Sequence, residues 1–380
     1  MLLQLSSEQE FFQKTTARYL EDNAPVAELR RRRDDPEGFK SRYWRQGAEL
    51  GWTSLLVSED DGGVSISGRG LVDLTLVAYE FGRHAAPGPL ALTNVVAGAL
   101  SAGQIADKSL IAGLLDGSAI VAWCISENLP DDGFGSLQFQ IQQQGDELVL
   151  NGVKRSVESA NQASHLLVTG RTGAGLSQVV VPVDTKGVTV RPMQGVDLSR
   201  RFSLVKFENV RVPLSAAVGT LGGADAAVEL QLQQAIVLLS AEAVGAMQAS
   251  FDMTVEWSFD RYSFGRSLAS YQALKHRFAH MATWLQASHA ICDEAARAVT
   301  EARPDAAELV SAAKAYVGRY GAELIQDCVQ LHGGIGVTFE HDLHLHLRRL
   351  TLIRNLLGTP DAHLRHLAVL VAQKEAAAHG

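Results

Sequence analysis

Arg261-Tyr262-Ser263-Phe264-Gly265-Arg266-Ser267-Leu268-Ala269-Ser270-Tyr271-Gln272-Ala273-Leu274-Lys275-His276-Arg277-Phe278-Ala279-His280-Met281 is the stretch on which the reading of this 380-residue chain turns. It predicts a helix ending near Arg261, a short Gly-containing corner, and a second helix on which Leu274, Phe278 and Met281 recur at spacings of four and three. The result is a helical hairpin. Its corner carries a cation at Arg261, a ring at Phe264 and a side-chain amide at Gln272, groups suited to a pyrophosphate and to the heteroatom edge of a purine. A packed surface turn would use the same residues, so the corner alone leaves both readings open.

Composition narrows the class. With 46% hydrophobic and 20% charged residues the chain can bury a large core divided among two or three domains. A net charge of -8 and a pI near 5.8 provide no basic field to collect phosphates, so no nucleic-acid partner is expected. The basic run Arg30 to Arg33 is followed at once by Asp34 and Asp35 and reads as a solvated helix end. Cys124, Cys292 and Cys328 are odd in number and lack metal-ligand spacing, which fits reduced thiols in a cytoplasmic protein. His341, His344 and His346 stand in a charged segment with Arg348 and Arg349, and no metal site is expected there. The first ten residues turn acidic without early basic residues, unlike a signal peptide, and no uninterrupted apolar run of about 18 residues implies a membrane span.

Taken in order, Ser7-x-x-Glu10 ahead of Phe11 and Phe12 reads as a capping box opening the first helix. Helical periodicity persists through residues 1–118, an all-α N-terminal domain. Over residues 119–222 the period shortens to short β-branched or alternating runs at 119–125, 137–141, 147–150, 165–168, 178–182 and 203–207, a small antiparallel barrel or sandwich. Residues 223–380 return to long Ala-rich amphipathic helices, a C-terminal four-helix bundle, so the expected class is α+β.

The sequence R-x-x-F-G-R with Gln272-Ala273, followed by Gln330-Leu331-His332-Gly333-Gly334-Ile335-Gly336, resembles the signature of the acyl-CoA dehydrogenases, and the helix, strand, helix order extends the resemblance over the whole chain. The resemblance implies FAD as cofactor, an acyl-CoA thioester as substrate, and an electron-transfer flavoprotein as acceptor. It implies a base that removes the α-proton, a flavin that takes the β-hydride and hydrogen bonds that acidify the α-carbon. In the family each FAD is shared between subunits. On that pattern Arg261, Phe264, Leu268, Gln272, Gln330, Gly333 and Gly334 would serve a neighbour's FAD, while Ser126 and Thr359 would serve the chain's own.

The chain departs from the family where its own FAD would sit. Ser126 keeps the hydroxyl of the C-x-T-E-P motif, but Asn128 replaces the Pro, and Leu129-Pro130-Asp131-Asp132 brings two carboxylates near the expected phosphates. In Gly152-Val153-Lys154-Arg155-Ser156-Val157-Glu158 the family's Trp is Ser156 and its Thr is Glu158, a charge that would oppose an anionic reduced flavin. Asp361 stands where the family has Gln. The two family base positions fall on Leu357, ahead of Gly358-Thr359, and on Ala235, ten residues before Gly245 in Ala243-Val244-Gly245. Glu242, seven residues after Ala235 on nearly the same helix face, is the substitute base to weigh, against the bland reading of an ion pair inside the bundle. Intact groups for a neighbour's cofactor with eroded groups for its own resemble the non-base-carrying subunit of an α2β2 heterotetramer, as in bacterial dehydrogenases of steroid side-chain CoA thioesters. The alternatives are a homotetramer using Glu242, and a redox-inactive CoA-thioester-binding paralogue.

Overall fold

The structure is a computed structural model that describes residues 5–105, 107–127 and 137–379. Six helices come first among these residues: α1 Ser7–Asn23, α2 Val26–Arg31, α3 Ser41–Glu49, α4 Gly70–Arg83, α5 Leu90–Ala102 and α6 Lys108–Leu115. The capping box exists one residue earlier than the sequence suggested. Ser6 Oγ accepts from Gln9 N and Gln9 Oε1 accepts from Ser6 N, so Ser6 and Gln9, not Ser7 and Glu10, close the helix end.

Eight strands follow among the described residues: β1 Val121–Cys124, β2 Gln140–Gln144, β3 Glu147–Glu158, β4 His165–Thr172, β5 Gly175–Pro182, β6 Val188–Met193, β7 Phe202–Pro213 and β8 Ala217–Val218. They form one sheet in the order β6-β7-β3-β2-β4-β5-β8, with β1 paired to β4. The expected antiparallel pairing holds for most neighbours. However, β1 runs parallel to β4 with Cys124 beside Val168, and β2 meets β4 in parallel at Gln140 and Arg171, so the sheet is mixed. Strand β6 carries Thr189, Arg191 and Pro192 among half-buried or exposed positions, which hid it from a search for buried runs. The sheet closes over a core of Leu148, Leu150, Val168, Val179, Val181, Val205, Phe207 and Val210, contributed by alternate residues of β3, β4, β5 and β7.

The remaining elements are α7 Asp225–Asp260, the two-residue strands β9 Tyr262–Ser263 and β10 Arg266–Ser267, α8 Gln272–Thr300, α9 Ala306–His332, α10 Leu343–Asn355 and α11 Pro360–His379. The expected hairpin of helices is therefore α7 and α8, and the C-terminal part holds five helices among the described residues. On length and hydropathy α7 would qualify to cross a membrane, which polar residues such as Gln233 and Glu242 concealed in the sequence. Its burial, 78% over the most apolar window, is that of a core helix.

The chain groups into two compact units. One comprises residues 31–74 and 87–235 and contains the sheet; the other comprises residues 1–30, 75–86 and 236–380 and contains α8 to α11. In the second unit α4 and α7 cross with their backbones in contact. A Cβ at Gly245 would lie 1.9 Å from the Tyr79 carbonyl oxygen, and one at Gly82 would lie 1.8 Å from that of Glu242. The Ala243-Val244-Gly245 triplet is thus a close-packing device. Gly245→Ala is expected to lower unfolding stability by about 1–3 kcal/mol, the usual cost of overpacking, read as a lower thermal midpoint by circular dichroism. An unchanged midpoint would mean that the crossing is loose.

Candidate functional site

The corner between α7 and α8 is a tight hairpin. β9 and β10 pair Tyr262 with Ser267 and Ser263 with Arg266, leaving Phe264 and Gly265 at the tip with φ of +51° and +80°. Positive φ at both central residues is the geometry that matches the twist of two short strands. Its consequence is that Phe264 is 97% exposed. The base of the corner is fixed: Leu268 N donates to Arg261 O at 2.9 Å, Tyr271 Oη donates to Ser263 O at 2.8 Å, and the Arg266 guanidinium lies 3.9 Å from the Tyr271 ring centroid. Arg261 is exposed and has no carboxylate partner among the described residues; its guanidinium lies 6.0 Å from the Trp257 ring centroid. Gln272 is exposed at the start of α8, and Leu268 is half-buried.

The second motif closes α9. Gln330, Gly333 and Gly334 are exposed, and Gly333 has a φ of +66°. The structure brings this segment to the corner through Trp257 of α7, whose ring stacks on His332 of α9 at 5.4 Å with 14° between planes. Neither Trp257 nor His332 stood out in the sequence, because stacking between residues 75 apart has no local signal. A pyrophosphate needs a cation, a flavin or adenine needs a ring face and amide groups, and close approach needs backbone without side chains. Arg261, Phe264, Gln272, Gln330, Gly333 and Gly334 supply these on exposed surface, and the space around a Cβ at Gly333 or Gly334 is empty to 4 Å. They fit part of an FAD.

The strand-borne groups lie in the other unit. Trp123 Nε1 donates to Thr169 Oγ1 at 2.9 Å, fixing β1 just ahead of Ser126, which is half-buried and whose backbone oxygen accepts from Arg155 N at 3.0 Å. Lys154 is fully buried and donates to Glu127 Oε1 at 2.7 Å and to Ile125 O at 3.0 Å. Burial, opposed by Glu127, holds its pKa below the ordinary lysine range. Asn128 and the run 129–132 lie outside the described residues. Ser156 has a φ of +50° where the β3–β7 register slips.

Glu158 corrects the sequence expectation. It is buried and held by Arg200 through both carboxylate oxygens, Nη2 to Oε2 at 2.6 Å and Nε to Oε1, so no unpaired negative charge stands at this position. Arg200 went unnoticed because it lies 42 residues away on a different segment.

Neither family base position holds a proton acceptor. Ala235 is fully buried. Leu357 is half-buried with a φ of +54° and is followed by Gly358 at +101°, where a Cβ would meet His363 Nε2 at 2.8 Å. This turn is built firmly: Lys314 Nζ donates to Leu356 O at 2.7 Å and to Ile353 O, and His363 Nε2 hydrogen-bonds Leu357 O at 2.9 Å. Thr359 is exposed, and its Oγ1 accepts from Ala362 N at 3.2 Å and caps α11, which leaves the hydroxyl hydrogen able to donate. Asp361 falls in the first turn of that helix, where a carboxylate suits the dipole.

Glu242, weighed as a substitute base, is 2% exposed and accepts from Arg349 Nη1 at 2.5 Å. Arg349 is fully buried and also donates to the carbonyls of Ala85 at 3.0 Å and Ala86 at 2.9 Å. A carboxylate that neutralises a buried guanidinium is committed to that charge, and taking up a proton would strand the cation. The geometry favours the bland reading, an ion pair inside the bundle.

Comparison with known proteins gives a consistent picture. Residues 6–108 match the family model "Acyl-CoA dehydrogenase, N-terminal domain" and residues 222–371 match "Acyl-CoA dehydrogenase, C-terminal domain". The chain is similar to acyl-CoA dehydrogenase IpdE2 of Mycobacterium tuberculosis, at 30% identity over 95% of this chain and 96% of that protein. Among solved structures it is similar to a variant of the "Tcur3481-Tcur3483 steroid ACAD", with 26% identity and a TM-score of 0.87 over 97% of this chain and 99% of that one. The fold is also that of butyryl-CoA dehydrogenase from Megasphaera elsdenii, with a TM-score of 0.86 at 20% identity over 98% of this chain and 100% of that one.

Two outcomes are expected from this geometry. Glu242→Gln leaves the Arg349 guanidinium buried without a counter-charge and should cost about 3–5 kcal/mol in urea unfolding, most of it recovered in Glu242→Leu combined with Arg349→Met; lost activity at unchanged stability would instead return Glu242 to the role of base. Lys314, with no carboxylate contact among the described residues, is pushed by burial down to about 7. Its native pKa lies below its unfolded value, so between about pH 7 and 10 the unfolded chain binds the extra proton. The stability of the wild type relative to Lys314→Met should therefore rise with pH in that window, by up to about 1.4 kcal/mol per unit. A flat difference would mean that Lys314 keeps its charge throughout.

Proposed function

Because this chain belongs to the acyl-CoA dehydrogenase family, oxidoreductases that act on a CH–CH bond, we propose that it works as the non-base-carrying subunit of an α2β2 heterotetramer. In this reading it completes FAD sites whose base is held by a paralogous chain. The observation that carries the proposal is the division of the site residues. Arg261, Phe264, Gln272, Gln330, Gly333 and Gly334 are all exposed, on two segments tied by the Trp257–His332 stack, whereas Leu357 and Ala235 offer no proton acceptor and Glu242 is bound to Arg349.

The chemistry that FAD supplies when bound is acceptance of the β-hydride of the thioester. This chain's part is to bind and orient. Arg261 supplies positive charge for the pyrophosphate, Phe264 a ring face, Gln272 and Gln330 amide hydrogen bonds, and Gly333 and Gly334 allow the backbone to approach. The hydrogen bonds from Leu268 N to Arg261 O and from Tyr271 Oη to Ser263 O fix the backbone that carries Arg261 and Phe264 before the ligand arrives, which lowers the entropy cost of binding. Proton abstraction from the α-carbon falls to the partner's base, because Leu357 can neither take nor hold a proton.

The likeness to a structure described as a steroid dehydrogenase supports a bulky, steroid-type acyl-CoA thioester as substrate. An electron-transfer flavoprotein as acceptor and a cytoplasmic location complete the proposal. The homotetramer alternative needs Glu242 as a base, which the Arg349 pair opposes.

The test is expression of this chain alone and together with its nearest encoded paralogue, followed by measurement of mass, flavin content and acyl-CoA desaturation. The expected result is flavin and activity only in the co-purified complex, at about one FAD per two chains. A lone chain that purifies as a yellow, active homotetramer would overturn the proposal.

A further inference from the structure

We propose that Trp257 and His332 are positioning residues: their stack holds the Arg261 corner and the Gln330–Gly334 segment in one arrangement, and protonation of His332 releases it. This rests on the shared-site reading for its functional meaning but not for its geometry. Trp257 lies one helical turn before Arg261, near the end of α7, and His332 lies between Gln330 and Gly333 at the end of α9. The two rings are nearly parallel, 5.4 Å apart, so each ligand-bearing segment is tied to the other through one aromatic contact.

The surroundings of His332 make that contact sensitive to protons. Its Nδ1 hydrogen-bonds Cys328 O at 2.8 Å, which sets the neutral tautomer with hydrogen on Nδ1, and its Nε2 is buried with no hydrogen-bond partner among the described residues. A proton added at Nε2 would find no acceptor there. The groups facing the ring are Trp257 of α7 and, beyond it, Arg261, the Cys328 carbonyl from α9, and His341 from the following loop at 4.5 Å between centroids. His341 is flanked by Asp342, which is paired with Arg30 of α2; Arg30 is therefore part of this end of the structure and not a freely solvated residue. Burial first, then His341, hold the His332 imidazole below the ordinary histidine range, with the Cys328 hydrogen bond opposing. The native pKa is depressed, so the stack's contribution is present at neutral pH and is lost as pH falls below about 6.5.

The experiment compares the co-purified complex and the full chain as wild type, His332→Ala, His332→Phe and Trp257→Phe. Hydrogen exchange of residues 261–271 and 333–337 reads the geometry without any flavin, and the FAD dissociation constant at about pH 7.5 and about pH 5.5, either side of the ordinary histidine pKa, reads the function. Wild type should bind FAD more weakly at the lower pH, by at most the about tenfold that one unit below the ordinary histidine pKa allows, and its exchange in both segments should rise together. His332→Ala should show the same weakening and the raised exchange at both pH values. His332→Phe, which keeps a ring against Trp257 but cannot gain a proton, should retain wild-type exchange at the higher pH and lose the acid response. Trp257→Phe, with a smaller partner ring, should fall between wild type and His332→Ala. Exchange that is unchanged in His332→Ala, or an acid response that persists in His332→Phe, would overturn the proposal. If exchange behaves as expected while FAD affinity is indifferent to every variant, the stack stands and the shared-site reading fails.

Discussion

An aromatic ring held almost entirely in water at the tip of a rigid hairpin leaves about 2 kcal/mol of burial unrealised, and Phe264 is in that position by backbone design, since Phe264 and Gly265 both adopt positive φ. A flexible tip would fold such a ring back onto the protein. Here the Tyr271–Ser263 hydrogen bond and the Arg266–Tyr271 contact hold it out, with Arg261 exposed at the foot of the same hairpin. An exposed ring and an exposed guanidinium on one rigid hairpin are groups that a ligand or a neighbouring chain could cover. The hairpin of α7 and α8 places the corner at one end, and the Trp257–His332 stack ties the end of α9 to it.

Several of the buried charges are paired. Glu242 with Arg349, Glu158 with Arg200 and Lys154 with Glu127 are each closed pairs, and Lys314 is met by backbone carbonyls. Desolvation makes an unpaired charge at any of these places costly, and a closed pair is a poor proton acceptor because its partner would be stranded. This is why a carboxylate near a lost base position, such as Glu242, is not by itself a replacement. The same reasoning removes the objection raised by Glu158, whose charge is already neutralised by Arg200.

Much of this was legible in the sequence. The helical hairpin could be read because Leu274, Phe278 and Met281 keep helical spacing around a Gly-containing corner, and strands β1 to β5 and β7 each begin close to an expected run because their buried positions are β-branched or alternate. The parallel pairing of β1 with β4 was not, since pairing direction is decided by connections that leave no local mark. Strand β6 was hidden by its exposure, and the capping box was misplaced by one residue because Ser6 and Ser7 are equally good caps in sequence. At the site, residue types were readable but their partners were not. Arg200, Lys314, Trp257 and His332 act on groups tens of residues away, and only the fold brings them together.

On the proposed function, the exposed corner serves a cofactor held by another chain. The most direct measurement places a photoreactive benzophenone side chain at position 264 of this chain in the co-purified complex, irradiates it, and maps the adducts by mass spectrometry. The expected result is an adduct to FAD or to residues of the paralogous subunit's flavin site. Adducts confined to this chain's own residues, or none in a flavin-loaded complex, would contradict it.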